Sequence, residues 1–328
     1  MNDRPGDERK RGNAGRGGAQ NRWSIAGWLE WPVISVVTVN FNAGPLLTRS
    51  VRAALASTEP AEVIVVDNGS TDGSVEALRG ELGGDPRVRI LDQGRNTGFA
   101  AACNAGMRVA RGELVLLLNP DCLVRTDTLA TVRAALEAAP EAGMAGCLLL
   151  NEDGSEQEGC RRRVPTPGRA FMRAFGLSRL RRRAGAMGSD FVLSDQPLPS
   201  APVEVDAISG AFMMVRRSAL DAVGPLDEAY FMHCEDLDWC MRFRQSGLRV
   251  LFVPTASAVH HKGTSSRGRP VRVLWHMHRG MVRYYRKFFR REYPGPFMWL
   301  VVAGVALRFA VLASIALARN AGRRILVR

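Results

Sequence analysis

The sequence predicts an α/β protein built on a mostly parallel, doubly wound sheet, and three observations carry that expectation. From Val33 onward, short β-branched apolar runs alternate with longer amphipathic stretches. Each run is followed by a polar loop and a helical pattern, the β-loop-α repetition of a parallel sheet covered on both faces. Helix-start residues stand where that alternation needs them.

Taken in order, Val33–Val39, Glu62–Asp67, Val88–Leu91 and Glu113–Leu118 read as strands. Helices are expected to start at Ser70 or Asp72, ahead of Val75 and Leu78, and at Thr126, ahead of Leu129 and Val132. Ligands of such sheets bind beyond the carboxyl ends of the strands. The four strand ends carry Asn40-Phe41-Asn42, Asp67-Asn68-Gly69-Ser70-Thr71-Asp72, Arg95-Asn96-Thr97-Gly98 and Asn119-Pro120-Asp121. Any one of these is ordinary turn chemistry, but four at equivalent positions make a lining. No GxGxxG follows the first strand and no GxxxxGK[ST] occurs, which argues against a dinucleotide-binding dehydrogenase and a P-loop enzyme.

Residues 161–202 are rich in Pro, Arg and Gly and read as a flexible or functional loop region. Order resumes with strands at Val203–Ile208 and Ala211–Arg216 and a short helix at Ser218–Val223. Glu235–Arg242 is a helix that buries Leu237, Cys240 and Met241; Leu248–Val253 is a strand, followed by His260-His261-Lys262-Gly263.

A chain of 328 residues with 46% hydrophobic content supports one large domain plus tails. Its formal charge of +13 admits nucleic acid, an anionic membrane surface or a phosphate-bearing substrate as partner. Six scattered cysteines without a CxxC pair argue against a zinc ribbon or a disulfide framework and suit a reducing cytoplasm. The first thirty residues lack an apolar stretch and read as a solvated basic tail rather than a signal peptide.

A diphosphate leaving group calls for a cation, and a cation calls for oxygen or nitrogen ligands at a rigid strand end. Asp121 is placed to supply one, unless it merely caps the following helix. Asn119 stands where a second carboxylate would strengthen the site, so substrate phosphates would have to complete it. His260 adds a nitrogen ligand better suited to manganese than magnesium, unless His260 and His261 are a surface pair. Glu235, Asp236 and Asp238 crowd a helix start, where they suit the helix dipole; Glu235 and Asp236 point apart, so one can cap while the other faces a substrate as general base.

The runs VTVNFNAG, VVDNGSTDGS, NTGFAAACNAG, LLLNPDC, ISGAFMMVRRSAL, GPLDEAYFMHCEDLDWCMRFRQSG and VHHKG resemble glycosyltransferase family 2, within it the rhamnosyltransferase-like branch. The resemblance covers residues 33 to 266, with seven motifs in the family's order. It implies a GT-A fold, an inverting transfer, a nucleotide-diphosphate sugar donor and a divalent cation, Mg2+ or Mn2+. Carried over by position, Asn40 and Asp67 hold the nucleobase and ribose with Asn68 beside them, Asn96 lines the donor pocket, and Asn119 and Asp121 stand in the metal-binding DxD. Asp236 matches the catalytic base of the family's ED motif, with Glu235 before it. His260 matches the histidine that helps hold metal or diphosphate, a role His261 takes if the register slips by one. Asn119 replaces the first DxD aspartate, as that branch commonly shows, and the usual GGFDE reads Gly224-Pro225-Leu226-Asp227-Glu228, which bears on the acceptor.

Phe297–Ala318 is almost wholly apolar and long enough to cross a bilayer, which takes about 20 residues, but it carries Arg308 near its middle. With Arg279, Arg283, Arg286, Lys287, Arg290 and Arg291 ahead of it, an in-plane or re-entrant helix on anionic lipid is favoured over a span or a buried core helix. The expected organisation is a basic tail at 1–31, a GT-A domain at 32–268 with a nucleotide-sugar half (32–150) and an acceptor half (200–268), and basic plus apolar membrane-associated helices at 269–328. The expected activity is transfer of rhamnosyl from dTDP-rhamnose to a lipid-linked or cell-envelope glycan, at the cytoplasmic face of the cell membrane. A nucleic-acid-binding protein, suggested by Arg161–Arg163 and Arg181–Arg183, lacks interleaved aromatics or a reading motif. An inactive scaffold is disfavoured by the joint presence of Asp121, Asp236 and His260.

Overall fold

A computed structural model describes residues 34–169, 191–261 and 270–326, with side chains to residue 319. The expected basic tail, the Arg181–Arg183 cluster, Lys262 and Gly263 lie outside the described residues. In chain order the elements are β1 (Ile34–Asn40), α1 (Pro45–Leu55), β2 (Ala61–Asp67), α2 (Ser74–Leu82), β3 (Val88–Asp92), α3 (Phe99–Val109), β4 (Leu114–Leu118), β5 (Cys122–Val124), α4 (Thr128–Glu137) and β6 (Ala142–Leu150). They continue with β7 (Arg161–Arg162), β8 (Val203–Glu204), β9 (Ala207–Ile208), β10 (Phe212–Arg216), α5 (Arg217–Val223), α6 (Glu235–Gln245), β11 (Arg249–His260), α7 (Pro270–Phe289) and α8 (Gly295–Leu326).

The main sheet runs in the order β3-β2-β1-β4-β10-β6-β11-β5, with β8 pairing β11. Its first four strands are parallel, as expected. Beyond them β10 runs antiparallel to both β4 and β6, so the sheet is mixed. Every residue of β1 and β2 is buried, the mark of strands covered on both faces. α1 and α2 carry the chain outward from β1 to β3 and pack on each other, whereas α3 returns it to β4 and covers β1 and β2. Right-handed crossovers in opposite directions put α3 on the opposite face from α1 and α2.

This topology reverses direction beside β1, and the crevice at such a switch point is where α/β sheets bind ligands. Asn40 and Asp67 end β1 and β2 in register with each other. Because β10 is antiparallel, its start at Phe212 lies beside Leu118, the end of β4. His260, ending β11, pairs with Cys122 immediately after Asp121.

Several element boundaries differ from expectation. Val203–Ile208 is not one strand: β8 joins β11 while β9 pairs with β7, the chain turning at Val205 and Asp206. The strand expected at Leu248–Val253 extends to His260, with an irregularity between Val253 and Ser257, where Pro254 removes a ladder donor. α2 and α4 start later than expected, after Gly73 and Asp127. Part of the 161–202 region is structured, since Arg161 and Arg162 form β7.

α7 and α8 pack together around Tyr284, Tyr285, Phe289, Met298 and Val305, against Leu237 and Met241 of α6. α8 is long and apolar enough to cross a membrane. Trp299 is 74% exposed and Leu300 70%, which excludes a buried core helix. Arg308 points at α7, where its guanidinium donates to His278 Nε2 (3.0 Å).

Candidate active site

The strand ends form two shells. Asn40 is fully buried, and its Nδ2 donates to Asp67 Oδ1 (3.1 Å), Ser70 Oγ (2.8 Å) and Ser74 Oγ (2.9 Å). Its amide therefore shapes the loop after β2, whose Ser70 N–H also closes on the Asp67 carboxylate. Asn68 does the same one strand over. It donates to Asn96 Oδ1 (3.1 Å) and accepts from the backbone N–H and the hydroxyl of Thr97. Asn96 in turn accepts the Gly98 N–H (3.0 Å) and lines a polar cavity of about 550 Å³ together with Thr97, Arg108 and Glu228. Gly98 adopts φ +94, and a Cβ there would stand 2.8 Å from Phe231 O. Only glycine permits both that conformation and that approach.

Asp121 sits in the turn between β4 and β5, so it does not cap α4, which starts after Asp127. It is 6% exposed, and its Oδ1 lies 3.2 Å from His260 Nε2. His260 Nδ1 lies 2.6 Å from Gln157 Oε1, while Gln157 Nε2 donates to His260 O and to Asn151 Oδ1. Gln157 Oε1 can only accept, so Nδ1 carries a proton and Nε2 is the nitrogen turned towards Asp121. Nε2 and the Asp121 carboxylate oxygen could together serve as donors to a shared cation, with Gln157 as the outer partner that fixes the ring. Asn119 Nδ2 approaches the same Nε2 (3.3 Å), and its backbone N–H donates to Ala211 O. Among the described residues no third His, Cys, Asp or Glu joins the pair. His261 points elsewhere, with its Nδ1 2.6 Å from Glu152 Oε1.

The two carboxylates of the ED motif have opposite surroundings. Asp236 Oδ2 accepts from Arg162 Nη2 (2.5 Å) and Gly210 N–H (3.2 Å), and Oδ1 accepts from Leu237 N–H (2.8 Å). Burial works to raise its pKa, but the Arg162 charge and these hydrogen bonds outweigh it and hold Asp236 below the usual carboxylate range. Glu235 Oε2 is buried and has no hydrogen-bond partner among the described residues. Burial first, and the Asp236 charge second, push Glu235 from 4.5 up to about 8. At neutral pH Asp236 is therefore the ionised carboxylate of the two and Glu235 holds its own proton. Both follow His233 and Cys234, two consecutive non-glycine residues at φ 67 and 71, a strained turn of the kind that gathers at functional sites. Gly210, which touches Asp236, precedes Ala211, which bonds Asn119, so the carboxylate and the Asp121–His260 pair share one neighbourhood.

Glu235 binds a proton in the folded state that the unfolded chain releases near 4.5, so its contribution to stability is full below that pH and is lost as pH rises towards 8. Glu235→Gln is expected to flatten this loss. Thermal melts from pH 5 to 8 should show the variant gaining on the wild type with rising pH; parallel curves would contradict the assignment.

Two residues of this site are not legible as such in the sequence. Gln157 stands between two glutamates with no motif around it, and Arg162 belongs to the cluster that suggests a nucleic-acid partner. Arg161 also turns inward, to Glu156 (2.9 Å). In the GPLDE motif, Asp227 binds Arg283 and Lys287 of α7, and Glu228 accepts from Asn104.

Comparison with known proteins agrees with this architecture. The chain is 29% identical over 306 residues to an N-acetylglucosaminyl-diphospho-decaprenol L-rhamnosyltransferase of Mycobacterium tuberculosis, covering 89% of this chain and 97% of the relative. It is 30% identical to the rhamnosyltransferase WbbL of Escherichia coli, over 56% of this chain and 66% of the relative. Among solved structures, the mannosyltransferase PcManGT of Pyrobaculum calidifontis, in complex with GDP-Man and Mn2+, superposes with a TM-score of 0.55 at 19% identity, covering 92% of this chain and 86% of the other. That likeness shows the GT-A fold. The family described as Glycosyl transferase family 2 matches residues 35–224, more than half of the chain. With that match, the sheet order and the rhamnosyltransferase relatives, the chain belongs to glycosyltransferase family 2 and is a glycosyltransferase enzyme.

Proposed function

We propose that this enzyme moves a deoxyhexose, rhamnosyl from dTDP-rhamnose, onto a polyprenyl-linked glycan acceptor in one displacement that inverts the anomeric centre, at the cytoplasmic face of the cell membrane. The observation that supports the reading is the run of contacts from Asp236 through Gly210 and Ala211 to Asn119, which adjoins the Asp121–His260 pair. Asp67 and Asn96 are the donor-side groups, positioned by Asn40 and Asn68. Asp121 and His260 would hold a divalent cation, which neutralises charge on the departing diphosphate. Two protein ligands leave the rest of the coordination to substrate phosphates and water, the usual habit of Mg2+ and open to Mn2+ through the imidazole.

Asp236 takes the proton of the acceptor hydroxyl as that oxygen attacks from the face opposite the diphosphate. Its ionised state is secured by Arg162 before the acceptor arrives. Rhamnosyl transfer to a lipid-diphosphate acceptor is what the name of the M. tuberculosis relative states for that protein. α8, with its exposed apolar surface, and the cationic α7 before it suit an enzyme whose acceptor is anchored in a bilayer.

A panel of nucleotide sugars, assayed with N-acetylglucosaminyl-diphospho-polyprenol with and without divalent metal, tests this reading. Metal-dependent release of dTDP from dTDP-rhamnose, with sugar on the lipid, is expected. Preference for another donor would overturn the sugar assignment, and transfer undiminished by chelation would overturn the cation.

A further inference from the structure

α7 and α8 enclose a groove of about 720 Å³, within the roughly 300–1,000 Å³ range of small-molecule sites. One wall is a stripe on α7, Arg279, Arg283, Arg286 and Lys287, in which Arg283 stands four residues from Arg279 and three or four from Arg286 and Lys287, so that they share a face. The other wall is apolar: Val302, Val305 and Phe309 of α8, with Trp275 meeting Phe309 edge-on at 5.5 Å. The cations are not equivalent. Arg283 and Lys287 are matched by Asp227 and Asp238. Arg279 and Arg286 have no ion-pair partner among the described residues. Two uncompensated positive charges beside an apolar wall call for an amphiphile carrying two negative charges.

Resting on the lipid-linked acceptor reading, we propose that this groove binds the diphosphate and the first isoprenyl units of the acceptor, the diphosphate on Arg279 and Arg286 and the chain along α8. A diphosphate diester supplies two negative charges, one for each unmatched arginine. The lipid leaves the groove over the exposed apolar surface of α8, where Leu307 is 66% exposed. α7 is braced against the turn that carries the ED motif. A Cβ on Gly280 would stand 2.9 Å from His233 O, so α7 lies directly on the strained turn that presents Glu235 and Asp236. Lys287 ties the same helix to α6 through Asp238 Oδ2 (2.6 Å). α7 thus joins the groove to the turn that carries the ED motif.

The test uses the full-length protein in detergent micelles and the double variant Arg279→Gln/Arg286→Gln, at exposed positions outside the donor site. Binding of geranylgeranyl diphosphate, read by Trp275-sensitive fluorescence, is expected to weaken at least tenfold in the double variant. Restoration by Arg279→Lys/Arg286→Lys, and weaker binding of both geranylgeraniol and inorganic diphosphate to wild type, support the site. In transfer assays the double variant should raise KM for the diphospho-lipid acceptor at least tenfold, with donor KM unchanged. Equal binding by wild type and double variant overturns the groove. So does an effect confined to vesicles of anionic phospholipid, which would make the arginines a membrane-surface patch. If wild type binds geranylgeranyl diphosphate through these arginines yet transfers sugar to no diphospho-lipid acceptor, the acceptor reading fails while the site stands.

Discussion

Asp236→Asn is expected to lower sugar transfer at least about a hundredfold, the lower end of general-base contributions, while donor binding survives. The substitution keeps the side chain's size and its acceptor oxygen for the Leu237 N–H, but removes the basicity and the charge that Arg162 faces. An acceptor hydroxyl is a poor nucleophile, so the loss falls on the step that forms the new bond. Donor KM, set on the β1, β2 and β4 ends, should stay within a few-fold. Glu235→Gln makes the control. Because burial and the Asp236 charge keep Glu235 protonated at neutral pH, an isosteric amide changes little there. A near-normal rate in Asp236→Asn together with a collapse in Glu235→Gln would reverse the assignment of the two carboxylates.

Asp121→Ala is the second large effect. Charge neutralisation on a departing diphosphate is worth several kcal/mol, so turnover should fall roughly a thousandfold, with circular dichroism unchanged. His260 remains, but a lone imidazole held by Gln157 is half a donor set. Gln157→Leu separates ligation from orientation: loss of an outer partner weakens metal affinity by about 10–100-fold. Its Mn2+ activation curve should shift accordingly and recover kcat at saturating metal, while Gln157→Glu, which keeps an acceptor for Nδ1, should shift less. Full activity of Asp121→Ala in the presence of chelator would contradict a cation at this place.

The parts of the fold that the sequence predicts are those dictated by local pattern. β1, β2 and β4 are dominated by Val, Ile and Leu, the composition of strands covered on both faces, and the buried Ser35 and Glu62 of β1 and β2 satisfy each other by a hydrogen bond. β6, β5 and the final stretch of β11 are not predicted, because Gly143 and Gly146 dilute the apolar pattern of β6 and Pro254 interrupts β11. β7 and β9 are two residues each and exist through their mutual pairing, a tertiary fact without a local signature. The same divide runs through the site. Asp121, Asp236 and His260 are identifiable because they stand at strand or helix ends within recognisable motifs. Gln157 and Arg162 act on His260 and Asp236 across sequence separations of 103 and 74 residues. No spacing rule reaches that far. Asn40 and Asn68 are expected at the strand ends and stand there, but both are buried, and their amides are spent on Asp67 and on the Asn96–Gly98 loop, which no local pattern foretells. Arg308 looks costly in an apolar helix until α7 supplies His278 opposite it, a pairing between helices.

The central claim is a single displacement in which Asp236 deprotonates the acceptor beside a cation held by Asp121 and His260. The anomeric configuration of the glycoside formed from dTDP-rhamnose and N-acetylglucosaminyl-diphospho-polyprenol, read by proton–carbon coupling in the purified product, tests it most directly. The account predicts a configuration opposite to the donor's; a product that retains the donor's configuration would require a covalent or front-face mechanism for which this arrangement of residues gives Asp236 no role.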